Sequence, residues 1–152
     1  MPATARKTAA IASKVLEFPP QEPAAAESHA LMMLSHYTDP SDLHTDLEAG
    51  CDAFIVLDAR SREAYTRGHI PGAINFPYRE MDAESVKRLP RNQLIVTYCD
   101  GIGCNGSTKA ALKLAHFGFR VKELIGGIDW WVRDGYQVMR GEDAKAGPDC
   151  GC

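Results

Sequence analysis

The sequence predicts an α/β domain in which helices cover both faces of one central, mostly parallel sheet. The chain has 152 residues, of which 45% are apolar and 24% are charged, as in an ordinary soluble domain. Short apolar runs alternate with helical patterns at the spacing of β-α-β units. Because crossovers between parallel strands are right-handed, the connecting helices fall on both sides of the sheet.

The chain divides into three parts by composition. Residues 1–36 form an arm, with a proline- and alanine-rich linker at 18–28 and a short helix at 29–36. Residues 37–140 form the domain, and residues 141–152 form a flexible tail that contains Cys150 and Cys152. No internal repeat is visible.

The elements of the domain follow in order, each bounded by glycine, proline or a capping residue. A helix begins at Asp39-Pro40-Ser41 and ends before Gly50, and its apolar Leu43 and Leu47 face the core. Residues 54–57 and 93–98 are strands buried on both faces because their apolar residues are continuous. The other predicted elements are helices at 61–67, 81–89, 107–117 and 129–134, strands at 74–76 and 120–125, and a turn at 70–73.

Composition also excludes several classes of partner. Seventeen basic and 20 acidic residues give a net charge of −3, which argues against a nucleic-acid partner. The apolar runs are too short to cross a membrane. An odd number of cysteines, five, in a chain long enough to bury a core without disulfides predicts a reducing, cytoplasmic location. Arg6, Lys7 and Lys14 leave open a short targeting peptide. We expect neither a metal nor a cofactor.

Cys99 is the candidate nucleophile. It follows the strand at 93–98 and precedes a glycine-rich loop and then a helix, which places it at the carboxyl edge of the sheet, where α/β domains bind their ligands. The glycines let successive amides turn inward, and the helix adds free N–H donors and the positive end of its dipole. All of these favour a thiolate, whereas Asp100 opposes it unless its side chain points away. The alternative is a small buried hydrophobic residue.

Three groups of residues form signatures that are far more specific together than any one of them alone. The first comprises Leu57-Asp58-Ala59-Arg60, Glu63-Ala64-Tyr65 and Gly68-His69-Ile70-Pro71-Gly72-Ala73-Ile74-Asn75. The second is Tyr98-Cys99 with its loop, and the third is Leu124-Ile125-Gly126-Gly127 with Trp131 and Gly135. In this order and spacing, over roughly residues 37–140, they resemble the rhodanese domain family. The resemblance implies a three-layer α/β/α fold.

The resemblance also implies a sulfurtransferase activity. Cys99 would take a sulfane sulfur from a donor, hold it as a persulfide and pass it to a thiophilic acceptor. Hydroxyl groups of Ser107 and Thr108 at the helix start would donate hydrogen bonds to that sulfur. The implied partners are a small sulfur donor or a protein persulfide or thiol. The substrate-binding loop would comprise Asp100, Gly101, Ile102, Gly103, Cys104, Asn105, Gly106 and Ser107.

The loop departs from the family pattern in its charge. An arginine usually follows the family cysteine after four residues, but Cys104 stands there, and aligning Ser107 with the helix-start serine puts Gly106 in the arginine's place. The related phosphatases on this fold need an arginine where Asn105 stands, so phosphatase activity is not expected. The same lack of charge disfavours thiosulfate and favours a larger or less charged donor, such as a protein persulfide.

Two interpretations of Cys104 stay open. It either lines the loop passively or attacks a persulfide or sulfenate on Cys99 to form a disulfide. The second would make the chain a non-catalytic redox or regulatory module. The Cys150-Gly151-Cys152 tail is half of a metal site at most, and it either reduces Cys99, donates sulfur to it, or is a frayed end.

The remaining conspicuous residues are predicted to be structural. Asp58 and Arg60 leave one face of a strand and brace the loop, and His69 fixes its turn by a hydrogen bond. Cys51 is predicted to be buried or half-buried. Trp131 packs in the core, and Trp130 is a candidate for the rim of the pocket.

Overall fold

The computed structural model describes residues 13–141, which contain one five-stranded, all-parallel sheet in the order β1-β5-β4-β2-β3. The strands are β1 (Tyr37–Thr38), β2 (Phe54–Asp58), β3 (Ile74–Asn75), β4 (Leu94–Tyr98) and β5 (Val121–Leu124). The helices are α1 (Pro23–His36), α2 (Pro40–Glu48), α3 (Arg62–Arg67), α4 (Gly106–His116) and α5 (Gly127–Arg133), with single 3₁₀ turns at Tyr78–Glu80 and Ser85–Arg88. The predicted α/β class with a parallel sheet is confirmed.

Two hydrophobic clusters lie on opposite faces of the sheet, because side chains alternate along each strand. On one face, Leu57 and Ile95 pack with Ala110 and Leu114 of α4. On the other, Val56, Val96 and Tyr98 pack with α2 and α5 through Leu43, Ile128 and Trp131. The central strand β4 is therefore covered on both sides, and the chain leaves it at the carboxyl edge directly into the loop that begins with Cys99.

Several predicted boundaries follow from local chemistry. Asp39 caps α2 by accepting a hydrogen bond from the Asp42 amide, and Pro40 occupies the first turn, where a missing N–H costs nothing. Ser61 caps α3 in the same way through the Ala64 amide. The predicted strands at 54–57, 93–98 and 120–125 match β2, β4 and β5 to within a residue or two at each end.

Two predictions of secondary structure are wrong, and one short strand was not predicted. Residues 23–28 belong to α1 and not to a linker, because Pro23 favours the first turn and the alanines after it are strong helix formers. β1 was not predicted, since its two residues carry no periodic pattern and are held only by pairing with β5. The helix predicted at 81–89 is a single 3₁₀ turn, in which the Asp82 carboxylate accepts from the amides of Glu84 and Ser85.

Within residues 13–141, no helix has both the length and the apolar character needed to cross a membrane. The predictions for Cys150 and Cys152 concern positions outside the described residues.

Candidate active site

Cys99 is 5% exposed and is held at the end of β4 by the start of α5. The Ile128 amide donates to the Cys99 carbonyl at 3.0 Å, and the Asp129 amide donates to the Asp100 carbonyl at 2.9 Å. Gly127 permits this approach, because its φ is +57° and a Cβ there would overlap the Cys99 carbonyl oxygen. The closing glycine pair of the sequence thus fixes the backbone that presents the Cys99 sulfur.

Gly106, the first residue of α4, makes the space for that sulfur. A Cβ at Gly106 would lie 2.8 Å from Cys99 Sγ, closer than carbon and sulfur pack, and would contact Cys104 Sγ at 3.4 Å. The family pattern places an arginine at the position of Gly106. The structure requires a residue without a side chain there. No pattern in the sequence distinguishes this requirement from ordinary loop flexibility.

The amides of Ser107 and Thr108 are available to an anion beside Cys99. Both lie in the first turn of α4, and within residues 13–141 neither donates to a carbonyl or a side chain. The Thr108 hydroxyl was predicted to bind the transferred sulfur, but it donates to Glu123 Oε2 at 3.0 Å instead. Ser107 is buried against the loop and keeps its predicted place at the helix start.

Cys99 and Cys104 are joined by a disulfide, with their Cα atoms 6.2 Å apart. Of the two interpretations of Cys104, only the second includes this internal disulfide. The Cys104 amide donates to the Gly101 carbonyl at 3.0 Å, and this turn folds the loop back towards Cys99. Cys51 is exposed, contrary to the prediction, because it follows the end of α2 on the opposite edge of the sheet.

A buried ion pair braces the loop from below, as predicted. Arg60 Nη2 lies 2.6 Å from Asp58 Oδ2 and also donates to the Gly68 carbonyl at 2.7 Å, while the Tyr98 hydroxyl donates to the same carboxylate at 2.6 Å. Burial alone would lower the pKa of Arg60, but its hydrogen bonds to Asp58 and the charge of that carboxylate outweigh burial and raise it. Burial, and then the charge of Asp58, raise the pKa of Tyr98.

Asp100 lies outside this brace but is tied to it. Its side chain is 63% exposed, and Oδ1 lies 3.3 Å from Arg60 Nη1. One of its carboxylate oxygens also lies within 4.8 Å of the Sγ atoms of Cys99 and Cys104, so the side chain does not point away from the cysteine. Asp100 therefore opposes a thiolate at Cys99, and the Arg60 guanidinium reduces that repulsion.

His69 and the two tryptophans have structural positions. His69 is buried, stacks on the Tyr65 ring at 3.7 Å, and shares a 2.9 Å hydrogen bond from Nδ1 to the Tyr65 carbonyl. Trp131 is buried in the core. Trp130 was a candidate for the pocket rim, but it packs over Gly126, where any Cβ would overlap its ring.

Two clefts open on either side of the disulfide. The cationic cleft, of about 440 Å³, is lined by Arg60, Arg67, Tyr78, Arg79, Asn105 and the two cysteines. The second cleft, called the apolar cleft, has a volume of about 330 Å³. It is lined by Met33, Tyr37, Ile102, Leu124, Ile125 and the same two cysteines, together with the polar Ser107, Thr108 and Glu123. Each therefore gives access to the disulfide through a chemically different wall.

Arg67 and Arg79 are cleft-lining residues that the sequence did not reveal. Arg67 ends α3 and Arg79 lies in the first 3₁₀ turn, so neither belongs to the cysteine loop. Among the described residues, neither pairs with a carboxylate, whereas Arg60 is bound to two. The Arg79 Nε donates to the Tyr78 hydroxyl at 3.2 Å, and this hydrogen bond lowers the pKa of that half-buried tyrosine.

Comparison with known proteins gives consistent matches. A family model described as rhodanese-like domain matches residues 39–134. The crystal structure of the BH2092 protein from Bacillus halodurans is 46% identical, superposes with a TM-score of 0.76, and covers 82% of this chain and 91% of that one.

Two curated proteins match over shorter spans. Thiosulfate sulfurtransferase 16, chloroplastic, from Arabidopsis thaliana is 35% identical over 89 residues, which are 52% of this chain and 74% of the plant protein. The HTH-type transcriptional regulator Rv0324 from Mycobacterium tuberculosis is 37% identical over 86 residues, which are 57% of this chain and 38% of the regulator. The chain thus spans little more than a third of the regulator's length.

Proposed function

Because the chain belongs to the rhodanese-like domain family, we propose that it is a sulfurtransferase whose Cys99 carries a sulfane sulfur as a persulfide. In the reduced protein, the Cys99 thiolate attacks the outer sulfur of the donor. A new S–S bond forms at Cys99, and the donor's remaining group leaves with the electron pair of the broken bond. A thiophilic acceptor then attacks the outer sulfur and returns the electron pair to Cys99.

The space at Gly106 is the observation that supports this proposal most directly. The Cys99 sulfur lies at the first turn of α4, opposite a residue with no side chain and near two amides without an acceptor. Negative charge on a sulfur atom is stabilised by N–H donors and by the positive end of a helix. The second sulfur of a persulfide would extend from Cys99 into the clefts and keep this stabilisation.

The cationic cleft favours an anionic donor. The cysteine loop has no arginine, but Arg67 and Arg79 supply positive charge from outside it. The loop by itself, which lacks an arginine, favours a larger or less charged donor. Because these two arginines line the same cleft as Cys99, a small dianion such as thiosulfate becomes the donor to test first.

The test uses reduced protein and follows both turnover and mass. After treatment with thiosulfate, wild type is expected to gain one sulfur on the peptide that contains Cys99, and cyanide is expected to remove it. Cys99→Ser is expected to lose the gain and to fall to the background rate of turnover. Cys51→Ser is the matched control, since this exposed cysteine lies at the other edge of the sheet. Full turnover by Cys99→Ser would overturn the proposal.

The disulfide favours a second candidate, a redox or regulatory module. In that case, a persulfide on Cys99 is attacked at its inner sulfur by Cys104, which releases hydrosulfide and forms the Cys99–Cys104 bond. Cys104→Ser distinguishes the two functions. If the chain is a sulfurtransferase, this variant keeps its turnover with cyanide as acceptor. If the chain is a redox module, the variant no longer releases hydrosulfide, and its mass no longer falls by the two hydrogens that disulfide formation removes.

A further inference from the structure

We propose that Cys99, Cys104 and Asp100 of the reduced protein together bind one thiophilic divalent cation of the Zn²⁺ class. This inference goes beyond sulfur transfer, because metal binding needs neither a sulfur donor nor an acceptor. It rests on the positions of three ligand atoms, on the hydrogen bonds that orient two of them and on the cleft that exposes them to solvent.

The three ligand atoms lie together at the start of the cysteine loop. The Sγ atoms of Cys99 and Cys104 and one carboxylate oxygen of Asp100 all lie within 4.8 Å of one another. Two thiolates and a carboxylate at this distance repel one another, and a cation shared between them replaces that repulsion by attraction. No metal was expected from the sequence, because the spacing alone does not place Asp100 beside both sulfurs.

Hydrogen bonds from the surrounding chain orient two of these ligands. The Gly106 amide donates to Cys104 Sγ at 3.5 Å, and Arg60 Nη1 donates to Asp100 Oδ1 at 3.3 Å. Within residues 13–141, no hydrogen bond reaches Asp100 Oδ2, so this oxygen keeps its lone pairs for an ion. Groups that hydrogen-bond to metal ligands fix the orientation of those ligands and strengthen metal binding.

The two sulfurs are able to share one ion once the disulfide is reduced. A tetrahedral Zn²⁺ with Zn–S bonds of about 2.3 Å holds two sulfurs about 3.8 Å apart. The Cα atoms of Cys99 and Cys104 are 6.2 Å apart, and Cys104 is only half-buried, so its side chain has room to turn. Side-chain rotation therefore provides the separation that the ion requires.

The chemistry of the ligands selects the class of ion. Mg²⁺ and Ca²⁺ prefer oxygen ligands, whereas Zn²⁺ binds both thiolates and carboxylates. Three negative ligands around a divalent ion leave the loaded site with one net negative charge, which Arg67 and Arg79 in the same cleft favour. All three ligands line the cationic cleft, so the ion enters from solvent and keeps a fourth position for water.

A bound ion holds Cys99 in an unreactive state. Binding changes no oxidation state, because the two thiols release their protons to solvent and the three ligands replace water molecules on the ion. With both sulfurs bound to the metal, the Cys99–Cys104 disulfide cannot form. The ion also prevents the attack of Cys99 on a sulfur donor, and this last consequence alone rests on the proposed sulfurtransferase function.

The test measures Zn²⁺ binding by the reduced, metal-free, full-length chain. Cys150→Ser and Cys152→Ser are introduced first, so that these two thiols do not compete for the ion. In a titration against a coloured chelator, we expect one Zn²⁺ per chain. The bound ion is expected to prevent alkylation of the peptide that contains Cys99 and Cys104, while the exposed Cys51 stays reactive. The same protein with its disulfide intact is expected to take no Zn²⁺ from the chelator.

Variants of aspartate distinguish a site of three ligands from a simple pair of thiols. Asp100→Asn is expected to weaken Zn²⁺ binding about tenfold or more, since even a residue that only orients a ligand contributes that much. Asp52→Asn is the matched control, because this exposed aspartate lies next to Cys51 and is expected to leave the affinity unchanged.

Three results would each overturn the proposal. They are a reduced protein that takes no Zn²⁺ from the chelator, an oxidised protein that takes as much as the reduced one, and equal affinity in the two aspartate variants. No sulfur donor is present in these measurements, so their failure does not bear on the sulfurtransferase proposal.

Discussion

The two clefts beside Cys99 and Cys104 share a floor but differ in their walls. The cationic cleft has Arg67 and Arg79 on α3 and the first 3₁₀ turn, both on the side of β3. The apolar cleft has Met33 and Tyr37 on α1 and β1, both on the side of β5. The chemistry around this cysteine is therefore set by the elements on either side of β4 and not by the cysteine loop alone.

A second contrast lies within the cationic cleft. Arg60 is almost completely buried and bound to Asp58, so its charge is used to hold the structure together. Arg67 and Arg79 line the same cleft, and among the described residues neither lies within 4 Å of a carboxylate, although Arg67 interacts electrostatically with Glu63. Their charge is therefore more available to a ligand than that of Arg60. Three predictions, on stability, on the shared floor and on the two walls, test these assignments.

The largest effect is expected from Arg60→Met. It removes the cation from a carboxylate that is fully buried, and breaking such a pair costs about 3–5 kcal/mol of unfolding free energy. Urea denaturation of the reduced proteins measures it. Arg62→Met is the matched control, since its 3.9 Å contact with Glu80 is exposed and contributes about 1 kcal/mol at most. Equal losses in the two variants would contradict the structural assignment of Arg60.

Gly106→Ala tests the shared floor of the two clefts. The added methyl group would displace the Cys99 sulfur, and a misplacement of about 1 Å can cost roughly 100-fold in rate, so both persulfide loading and disulfide formation are expected to fall by that factor. Gly103→Ala, in the same loop with open space around its Cβ, is expected to change either rate by less than a factor of two. Steady-state turnover and disulfide yield measure the effect. Normal rates in Gly106→Ala would mean that the sulfur does not need this space.

The smallest effect is expected from the walls. Arg67→Gln together with Arg79→Gln is expected to raise the KM for thiosulfate roughly tenfold at low salt, because two exposed charges contribute about 0.5–1 kcal/mol each. The effect should shrink as the salt concentration rises. Met33→Gln, in the wall of the apolar cleft, is expected to leave this KM within a factor of two. A similar rise for both changes would show that the donor does not distinguish the two walls.

The parts of the site that the sequence predicted are those that depend on neighbours along the chain. Cys99 directly follows a strand whose apolar residues are continuous, so its place at the carboxyl edge needed no long-range information. Asp58 and Arg60 lie two residues apart on one face of a strand, which is enough to predict their pairing. The glycine pair before α5 likewise marks a close approach of two backbones.

The parts that the sequence did not predict depend on residues far apart in the chain. The Thr108 hydroxyl binds Glu123 on a neighbouring strand, and the edge strand Tyr37–Thr38 exists only through its pairing with β5. Arg67 and Arg79 lie 32 and 20 positions before Cys99, and no local pattern indicates that they line one cleft with it.

Hydrophobic periodicity, proline and glycine act over a few residues, so the order of strands and helices and the cysteine at the end of β4 can be read from the amino-acid sequence. The fold was needed to show that Cys104 bonds to Cys99, that Gly106 must lack a side chain, and that two arginines outside the loop line the cleft. Each of these depends on a distance between separate segments. Such distances are set by how the helices pack on the sheet, which no single stretch of the chain specifies.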